Sequence, residues 1–281
     1  MTDRYAVFGN PVEHSRSPWI HAVFAAQTGA DMAYGRKCVP MGCFDAAAMA
    51  FFAAGGKGLN ITLPFKQDAF AFADVLTARA RRAGAVNTLA LQANEAGARA
   101  VLGDNTDGSG LLRDIRDNLC WRIAGRRLLL LGAGGAARGV LEPLLAERPA
   151  ALVIANRTVT KVRQLATEFA ADGPVDALGF AELAAVPPFD IVINATSASL
   201  AGALPSLPPA LLVPGGGAYD MMYGREPTVF MLWASGHGAG RVADGLGMLV
   251  EQAADSFTLW RGLRPTTAPV IEALRKALAA D

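Results

Sequence analysis

A glycine-rich run directly after four leucines has the residue types that a pyrophosphate-binding turn requires. Residues 128–131 are all leucine, and the run after them fits the pattern G-x-G-x-x-A, with Ala137 in the third fixed position. Glycines permit a tight turn close to phosphate, and a helix that begins there adds free N–H groups and the positive end of its dipole. The alternative is a strand, turn and helix without a ligand. The residues predicted to bind a dinucleotide here are Gly132, Ala133, Gly134, Gly135 and Ala136.

The end of the next strand carries basic and hydroxyl side chains in place of an acid. NAD-binding chains have Asp or Glu near this point, where the carboxylate accepts a hydrogen bond from the ribose 2′-hydroxyl. This sequence has Asn156, Arg157 and Thr158, followed by Lys161. A guanidinium, an ammonium and a hydroxyl suit a 2′-phosphate, so the pattern predicts NADP as the cofactor. The other interpretation is a basic surface at the start of a helix.

Lys66 and Ser15 are candidates for chemistry in the N-terminal part of the chain. Lys66 follows a short strand, where a lysine is usually solvated but could also exchange a proton with a substrate. Ser17 and Pro18 are typical of a helix start, with serine as the cap and proline in the first helical position. One helix start needs one capping hydroxyl, which leaves Ser15 available for a ligand.

From residue 126 onward, apolar strands alternate with helices, as in a doubly wound parallel sheet. The strands are predicted at 127–131, 151–155, 189–193 and 217–220. The helices are predicted at 135–147, 159–171, 180–184 and 226–235. Ligands of such sheets bind beyond the carboxyl ends of the strands. Small and polar residues follow these strand ends, and those predicted to contact the cofactor there are Thr196, Ser197 and Met221.

A separate α/β region precedes this sheet. Its strands are predicted at 4–8, 33–39, 58–62, 85–89 and 98–102. Its helices include a long one over residues 66–82. Beyond the parallel sheet, an amphipathic helix of about 16 residues begins near residue 245, and a last helix covers 269–279. We expect these two helices to return to the first domain.

Composition excludes several classes of function. The chain has 281 residues, with 26 Lys and Arg against 25 Asp and Glu, which gives no electrostatic reason to expect nucleic acid or a membrane surface as a partner. The three cysteines and three histidines form no metal-binding spacing, and an odd cysteine count favours reduced thiols in the cytoplasm. The N-terminal residues are typical of a strand and not of a signal peptide. We therefore expect a cytoplasmic protein without a metal.

A series of motifs along essentially the whole chain resembles the short, monofunctional shikimate dehydrogenases. The motifs lie at 7–11, 15–18, 60–66, 84–88, 103–108, 132–136, 156–158 and 244–252. The resemblance implies two α/β domains with a substrate cleft between them. Residues 1–106 plus 245–281 would form the substrate-binding and catalytic domain, and residues 107–244 the Rossmann-like NADP domain.

The family resemblance also implies a reaction and a set of site residues. The reaction is the reversible, NADPH-dependent reduction of 3-dehydroshikimate to shikimate, on the pathway to chorismate and the aromatic amino acids. Lys66, next to Asp107, would be the proton-transfer partner, and Gly245 would lie at the cofactor. The residues implied for substrate binding are Ser15 and Ser17 at the carboxylate, with Thr62, Asn87, Asp107, Tyr223 and Gln252 at the hydroxyls and ring.

Several points stay open on the sequence alone. Ser199 replaces a glycine that is common in the family, and the segment 223–228 differs from the commoner arrangement. Lys66 could carry the proton by itself or as a coupled pair with Asp107. The alternatives to the main prediction are a relative that prefers quinate or also uses NAD, a non-enzymatic NADP sensor, and a nucleotide-binding structural protein. The partner is a small molecule, and the chain could be a monomer or a homodimer.

Overall fold

The computed structural model describes residues 2–93, 99–196, 198 and 202–280. The chain divides into two compact units, which are Met1–Asp107 with Val250–Val270, and Gly108–Leu249 with Ile271–Asp281. The sequence-based boundaries differ from this division, because they assign residues 245–249 and 271–281 to the first domain and Asp107 to the second. The functional division into 1–106 plus 245–281 and 107–244 stays a prediction.

The first unit is built on a mixed six-stranded sheet in the order β2-β1-β3-β5-β6-β4. Strand β1 runs parallel to both β2 and β3, whereas β5 runs antiparallel to β3 and β6. The elements up to β6 are β1 (Asp3–Gly9), α1 (Ser17–Thr28), β2 (Met32–Cys38), α2 (Phe44–Ala53), β3 (Gly56–Ile61), α3 (Lys66–Phe72), β4 (Val75–Leu76), α4 (Ala78–Ala83), β5 (Thr88–Ala93) and β6 (Arg99–Asp104).

The predicted single helix over residues 66–82 is wrong. The segment forms α3, the short strand β4 and α4. Asp74 holds the middle of the segment against β6, since its N–H donates to the Val101 carbonyl at 2.9 Å and its carboxylate accepts the Val101 N–H at 2.7 Å. Thr77 then caps α4 by accepting the N–H of Ala80 at 3.2 Å. Pairing with a distant strand therefore overrides local helix propensity.

The second unit is built on a parallel six-stranded sheet in the order β12-β11-β10-β7-β8-β9. The α-helices and strands described after β6 are α5 (Asp107–Arg113), β7 (Arg127–Leu131), α6 (Gly135–Ala146), β8 (Ala151–Asn156), α7 (Val159–Phe169), β9 (Val175–Gly179), β10 (Phe189–Asn194), β11 (Leu212–Asp220), α8 (Val229–Gly236), β12 (Ala239–Asp244), α9 (Leu246–Arg261) and α10 (Ala268–Ala280). The helix predicted at 180–184 is a 3-10 helix, Phe180–Ala185. No helix among the described residues is both long and apolar enough to cross a bilayer.

The leucines of β7 pack on both faces of this sheet. Leu128 and Leu130 belong to one buried cluster, and Leu129 and Leu131 belong to another. Successive strand side chains point to opposite faces, so a continuous apolar run fits a central strand that is covered on both sides. The sequence did not predict β9 and β12, which lie at the two edges of the sheet and have mostly exposed or half-buried side chains. Because these edge strands are not covered on both faces, they lack the continuous apolar run that predicted the central strands.

Candidate active site

Lys66 and Asp107 form an ion pair in the first unit, with 2.5 Å between Lys66 Nζ and Asp107 Oδ2. Lys66 is the first residue of α3, and its carbonyl accepts the N–H of Val86 at 2.9 Å. Asp107 is the first residue of α5, and its N–H donates to the side-chain oxygen of Asn105 at 3.1 Å. Each partner is therefore fixed by its own backbone. The side chains are 25% and 11% exposed, so the pair is shielded yet reachable by a small molecule.

Asn87 occupies the other oxygen of the same carboxylate. Its side-chain amide donates to Asp107 Oδ1 at 2.9 Å and lies 3.2 Å from Gln252 Oε1. Asn87 is 3% exposed, and its backbone N–H donates to the Asp104 carbonyl at 3.0 Å. The structure thus brings together Lys66, Asn87, Asp107 and Gln252, which are distant in sequence.

This arrangement suits proton exchange with a bound oxygen. An ammonium group has three N–H donors, and one of them is used by Asp107. The others can donate to an alcohol or carbonyl oxygen placed next to Lys66. The amide groups of Asn87 and Gln252 supply neutral donors and acceptors beside it. The site can therefore orient a polar molecule and give or take a proton.

Ser15 and Ser17 lie side by side, but their backbone roles differ from those predicted. Helix α1 begins at Ser17, its N-cap position is Arg16, and no side chain caps it. The prediction that Ser17 caps the helix is wrong. Ser15 Oγ instead accepts the N–H of Ser17 at 3.3 Å and lies 3.2 Å from Ser17 Oγ. A serine commonly accepts the N–H two residues later in this way. Ser15 therefore has a structural contact of its own.

Thr62 lies against the end of β1. Its N–H donates to the Phe8 carbonyl at 2.9 Å. A Cβ at Gly9 would come within 2.4 Å of Thr62 Cγ2, so a side chain there would displace the threonine. Close packing against Thr62 therefore explains the glycine at position 9 in the motif of residues 7–11. Thr62 is half-buried, four positions before Lys66.

The glycine-rich turn of the second unit fits a pyrophosphate. Gly132 has a φ of +112°, which L side chains rarely adopt, and a Cβ there would lie 3.2 Å from the Ala195 carbonyl oxygen. Helix α6 follows, with Gly134 at the N-cap position and no capping side chain. Gly134 and Gly135 are exposed, and an added Cβ would meet nothing within 4 Å at either. The first N–H groups of a 12-residue helix are thus open to an anion.

Other predicted cofactor residues gather at the carboxyl ends of neighbouring strands in the second unit. Thr196 follows β10, and its hydroxyl donates to Asn194 Oδ1 at 2.7 Å. Met221 follows β11, and Gly245 follows β12. A Cβ at Gly245 would come within 2.2 Å of the Met221 carbonyl oxygen, so glycine is needed for this approach. Ser197 and Ser199 lie outside the described residues.

A cavity of about 860 Å³ lies beside the end of β8. Its lining includes Arg157, Val159 and Arg163, together with Gly179 and Phe180 from the end of β9. Lys161 is not part of the lining, nor are Asn156 and Thr158.

Helical geometry explains this distribution of basic residues. Residues four apart lie on one face of α7, so Val159 and Arg163 point the same way, and Lys161 lies on another face. Sequence reasoning missed Arg163, although this spacing could have identified it. The cavity lining therefore includes two arginines, Arg157 and Arg163, together with the acidic Glu182.

Three family descriptions match the chain in order. The shikimate dehydrogenase substrate binding domain matches residues 7–89, shikimate / quinate 5-dehydrogenase matches residues 115–201, and the shikimate 5′-dehydrogenase C-terminal domain matches residues 245–275. A protein of Alkalilimnicola ehrlichii named shikimate dehydrogenase (NADP(+)) is 58% identical over 275 residues, which are 98% of this chain and 99% of that protein. This chain belongs to the shikimate dehydrogenase family.

Solved structures share the fold of this chain. An Ael1 enzyme from Pseudomonas putida is 44% identical and has a TM-score of 0.89, with 97% of this chain and 98% of that chain covered. Shikimate 5-dehydrogenase from Thermus thermophilus, solved with NADP(H) and shikimate, is 32% identical and has a TM-score of 0.85, with 99% of this chain and 100% of that chain covered. The family and the fold predicted from the sequence are both confirmed.

Within this shikimate dehydrogenase fold, the residues implied by the resemblance lie in both units. Ser15, Ser17, Thr62 and the cluster around Asp107 lie in the first unit. Tyr223 lies in the second unit, where it is half-buried. Across the described parts of the chain, no group of three or more His, Cys, Asp or Glu side chains is arranged to hold a metal ion. The role of each residue toward a ligand stays a prediction.

A buried histidine of this family member gives a testable dependence of stability on pH. His21 is 0% exposed, its ring stacks on Tyr34 at 4.2 Å, and burial lowers the pKa of His21 from 6.5 to about 3. The unfolded chain takes up a proton below pH 6.5, whereas the folded chain does not until about pH 3. This contribution to stability is therefore complete above pH 6.5 and is lost as the pH falls toward 3.

We expect His21→Phe to flatten the loss of stability between pH 6.5 and 4.5. The difference in slope should be about 1.4 kcal/mol of unfolding free energy per pH unit. Urea unfolding followed by circular dichroism at several pH values measures this. The exposed His14, changed to Asn, is the control and should leave the slope as it is. Equal slopes in wild type and His21→Phe would contradict the argument.

Proposed function

We propose that this chain catalyses the reversible reduction of 3-dehydroshikimate to shikimate with NADPH. The ion pair of Lys66 with Asp107, held by Asn87 and next to Gln252, carries the proposal. It lies in the unit that contains the match to the family's substrate-binding domain, residues 7–89. A general acid beside neutral hydrogen-bonding groups is what reduction of a ketone in a polyhydroxylated ring requires.

Reduction of the ketone needs a hydride on carbon and a proton on oxygen. The hydride comes from NADPH when this cofactor is bound. In our proposal Lys66 Nζ donates the proton to the carbonyl oxygen, and Asp107 keeps the lysine side chain in place. In the reverse direction Nζ takes the proton of the alcohol. Whether Lys66 titrates alone or coupled to Asp107 is part of the test described in the Discussion.

The remaining site residues would bind and orient the substrate. In this proposal the hydroxyl groups of Ser15 and Ser17 bind the carboxylate as neutral donors. Thr62, Asn87 and Gln252 bind the hydroxyls and the ring, together with Tyr223. The proposal is supported for Asn87 and Gln252 by their 3.2 Å contact beside Asp107.

NADP is the cofactor of the proposed reaction. The open N-terminus of α6 and the turn at Gly132 suit the pyrophosphate. Arg157 and Arg163 at the cavity beside β8 suit the 2′-phosphate, because a guanidinium can bind two phosphate oxygens at once. Residues 155–161, at the end of β8, include no Asp or Glu to accept from a ribose 2′-hydroxyl. Glu182 also lines the cavity, and its Oε2 accepts the N–H of Gly179 at 2.6 Å.

Absorbance at the NADPH band tests the proposal directly. Purified protein is mixed with shikimate and NADP, with quinate and NADP, and with each acid and NAD. We expect rapid reduction of the cofactor only in the mixture of shikimate and NADP. Faster reduction with quinate would favour the sister activity, which the matched description shikimate / quinate 5-dehydrogenase also names. If the protein binds NADPH but reduces the cofactor in none of the four mixtures, a non-enzymatic NADP sensor would be favoured instead.

A cytoplasmic location completes the proposal. All three cysteines, Cys38, Cys43 and Cys120, are exposed and free, as is usual in a reducing compartment. Fractionation of cells that produce the tagged protein would check this, and recovery from the periplasm would contradict it.

A further inference from the structure

A line of hydrogen bonds in the first unit connects Tyr34 of β2 with the Lys66–Asp107 pair. Each step is an adjacent donor and acceptor, and every residue lies within the first unit. The side chains along the line are Tyr34, Asn60, Thr88, Asn87, Asp107 and Lys66. Asn60, Thr88 and Asn87 are 6%, 0% and 3% exposed, so bulk water does not offer them other partners.

Two bonds of fixed direction orient the Asn60 side chain. Tyr34 Oη donates to Asn60 Oδ1 at 2.7 Å, and Asn60 Nδ2 donates to the Asn87 carbonyl at 3.3 Å. The amide nitrogen also faces Thr88 Oγ1 at 3.1 Å and Ser256 Oγ at 2.9 Å. An amide nitrogen donates and does not accept, so the hydroxyl oxygens accept where they bond to it.

The second step transmits this orientation to Asn87. The Thr88 hydroxyl has one proton and lies 2.9 Å from Asn87 Oδ1 and 2.8 Å from Ser256 Oγ. The proton goes to Asn87 when Thr88 Oγ1 itself accepts from Asn60 and Ser256. The N–H of Thr106 donates to the same Asn87 oxygen, also at 2.9 Å. With its oxygen held from two sides, the Asn87 amide presents its nitrogen to Asp107 Oδ1 at 2.9 Å.

All four bonds from Tyr34 to Asp107 donate in the same direction, toward the carboxylate. The Lys66 ammonium approaches the opposite oxygen of that carboxylate. Linked hydrogen bonds polarise one another, so a change in the direction of the first bond alters the strength of the last. The phenol gives its single proton to Asn60 at 2.7 Å, the shortest of the four bonds.

We propose that Tyr34 is a positioning residue for the reaction: its hydroxyl holds the Asn60 amide in the orientation from which the hydrogen bonds through Thr88 support the Asn87 amide against Asp107. The catalytic part of this inference rests on the proposed function. Without the phenol proton, rotation of the Asn60 amide is opposed by the longer, 3.3 Å bond to the Asn87 carbonyl, and a rotated amide can take the Thr88 proton away from Asn87. Asn87 then holds Asp107 less firmly beside Lys66.

The variant Tyr34→Phe removes the hydroxyl and keeps the ring that stacks on His21. We expect kcat for shikimate oxidation to fall by about 10-fold, as for a lost hydrogen bond within a charged network, while KM for NADP stays unchanged. The acid-side midpoint of the pH profile of kcat should rise, because a donor directed at a carboxylate favours its charged form. Thr88→Val should act in the same way, and Thr88→Ser, which restores the hydroxyl, should recover most of kcat.

Tyr5→Phe is the matched control. Tyr5 is another tyrosine of the first unit, and its ring packs on Trp260 at 4.7 Å. Its hydroxyl bonds to Arg261 and is not part of the hydrogen-bond line to Asp107. It should leave kcat and the pH profile unchanged. The proposal is overturned if Tyr34→Phe keeps the wild-type kcat and pH profile, or if Thr88→Ser behaves like Thr88→Val.

A second readout separates this inference from the proposed function. The side-chain amide signals of Asn60 and Asn87 can be followed by nuclear magnetic resonance without substrate. They should shift in Tyr34→Phe and stay in place in Tyr5→Phe. If these amide signals shift but the wild-type protein does not oxidise shikimate, the proposed function is wrong and the hydrogen-bond line is still supported. If the signals do not shift, the hydrogen-bond line from Tyr34 to Asp107 is refuted.

Discussion

Replacing Lys66 with alanine is expected to lower kcat for shikimate oxidation by roughly 10²- to 10⁴-fold, the usual effect of removing a general acid or base. Binding of shikimate should change far less, because neighbouring neutral groups such as Asn87 and Gln252 remain in place. Steady-state kinetics give kcat, and fluorescence titration gives the dissociation constant of shikimate. A variant that keeps most of its turnover would refute the role of Lys66.

Two further variants sharpen this test. Lys57→Ala removes an exposed lysine of the same unit and should leave kcat unchanged, which controls for the loss of one positive charge. Asp107→Asn keeps the size of the side chain and removes the ion pair at 2.5 Å. If Lys66 and Asp107 titrate as a coupled pair, Asp107→Asn should remove one of the steps in the pH profile of kcat as well as lower its maximum. If Lys66 acts alone, the variant should keep the same number of steps as the wild type, although their position moves because a charge 2.5 Å from the ammonium is lost.

Replacing Arg157 with alanine is expected to weaken NADPH binding by about 10- to 100-fold, the effect of losing a hydrogen bond to a charged group. NADH binding should change little, since NADH lacks the 2′-phosphate that the guanidinium would bind. Titration of the two cofactors, followed by protein fluorescence, measures both constants. Equal losses for the two cofactors would contradict the prediction and would point to a structural role of Arg157.

Comparison of neighbouring basic residues extends the test. Arg163 lines the same cavity as Arg157, so Arg163→Ala should also weaken NADPH more than NADH. Lys161 was predicted from the sequence to contact the cofactor but does not line this cavity, and Lys161→Ala should therefore have the smaller effect. Arg122→Ala, an exposed arginine of the same unit, is the control for net charge. A larger effect at Lys161 than at Arg163 would restore the sequence-based assignment.

The sequence by itself determined the parts of this protein that depend on local pattern. Four consecutive leucines followed by a glycine-rich turn predicted a central strand and a dinucleotide-binding turn, and the structure has β7 buried on both faces before Gly132. The family also followed from the order of short motifs. Such features are encoded within a few consecutive residues, where side-chain periodicity and glycine conformation act directly.

Only the tertiary structure decided which distant side chains meet. The 2.5 Å contact of Lys66 with Asp107 joins residues 41 positions apart, and no local pattern specifies it. The break of the predicted helix 66–82, the edge strands β9 and β12, and the N–H that Ser15 accepts in place of a cap at Ser17 all depend on pairing or packing with other segments. The direction of the chain from Tyr34 to Asp107 likewise requires β2, β3 and β5 to lie in one sheet, because hydrogen-bond direction is set by geometry across strands and not along the sequence.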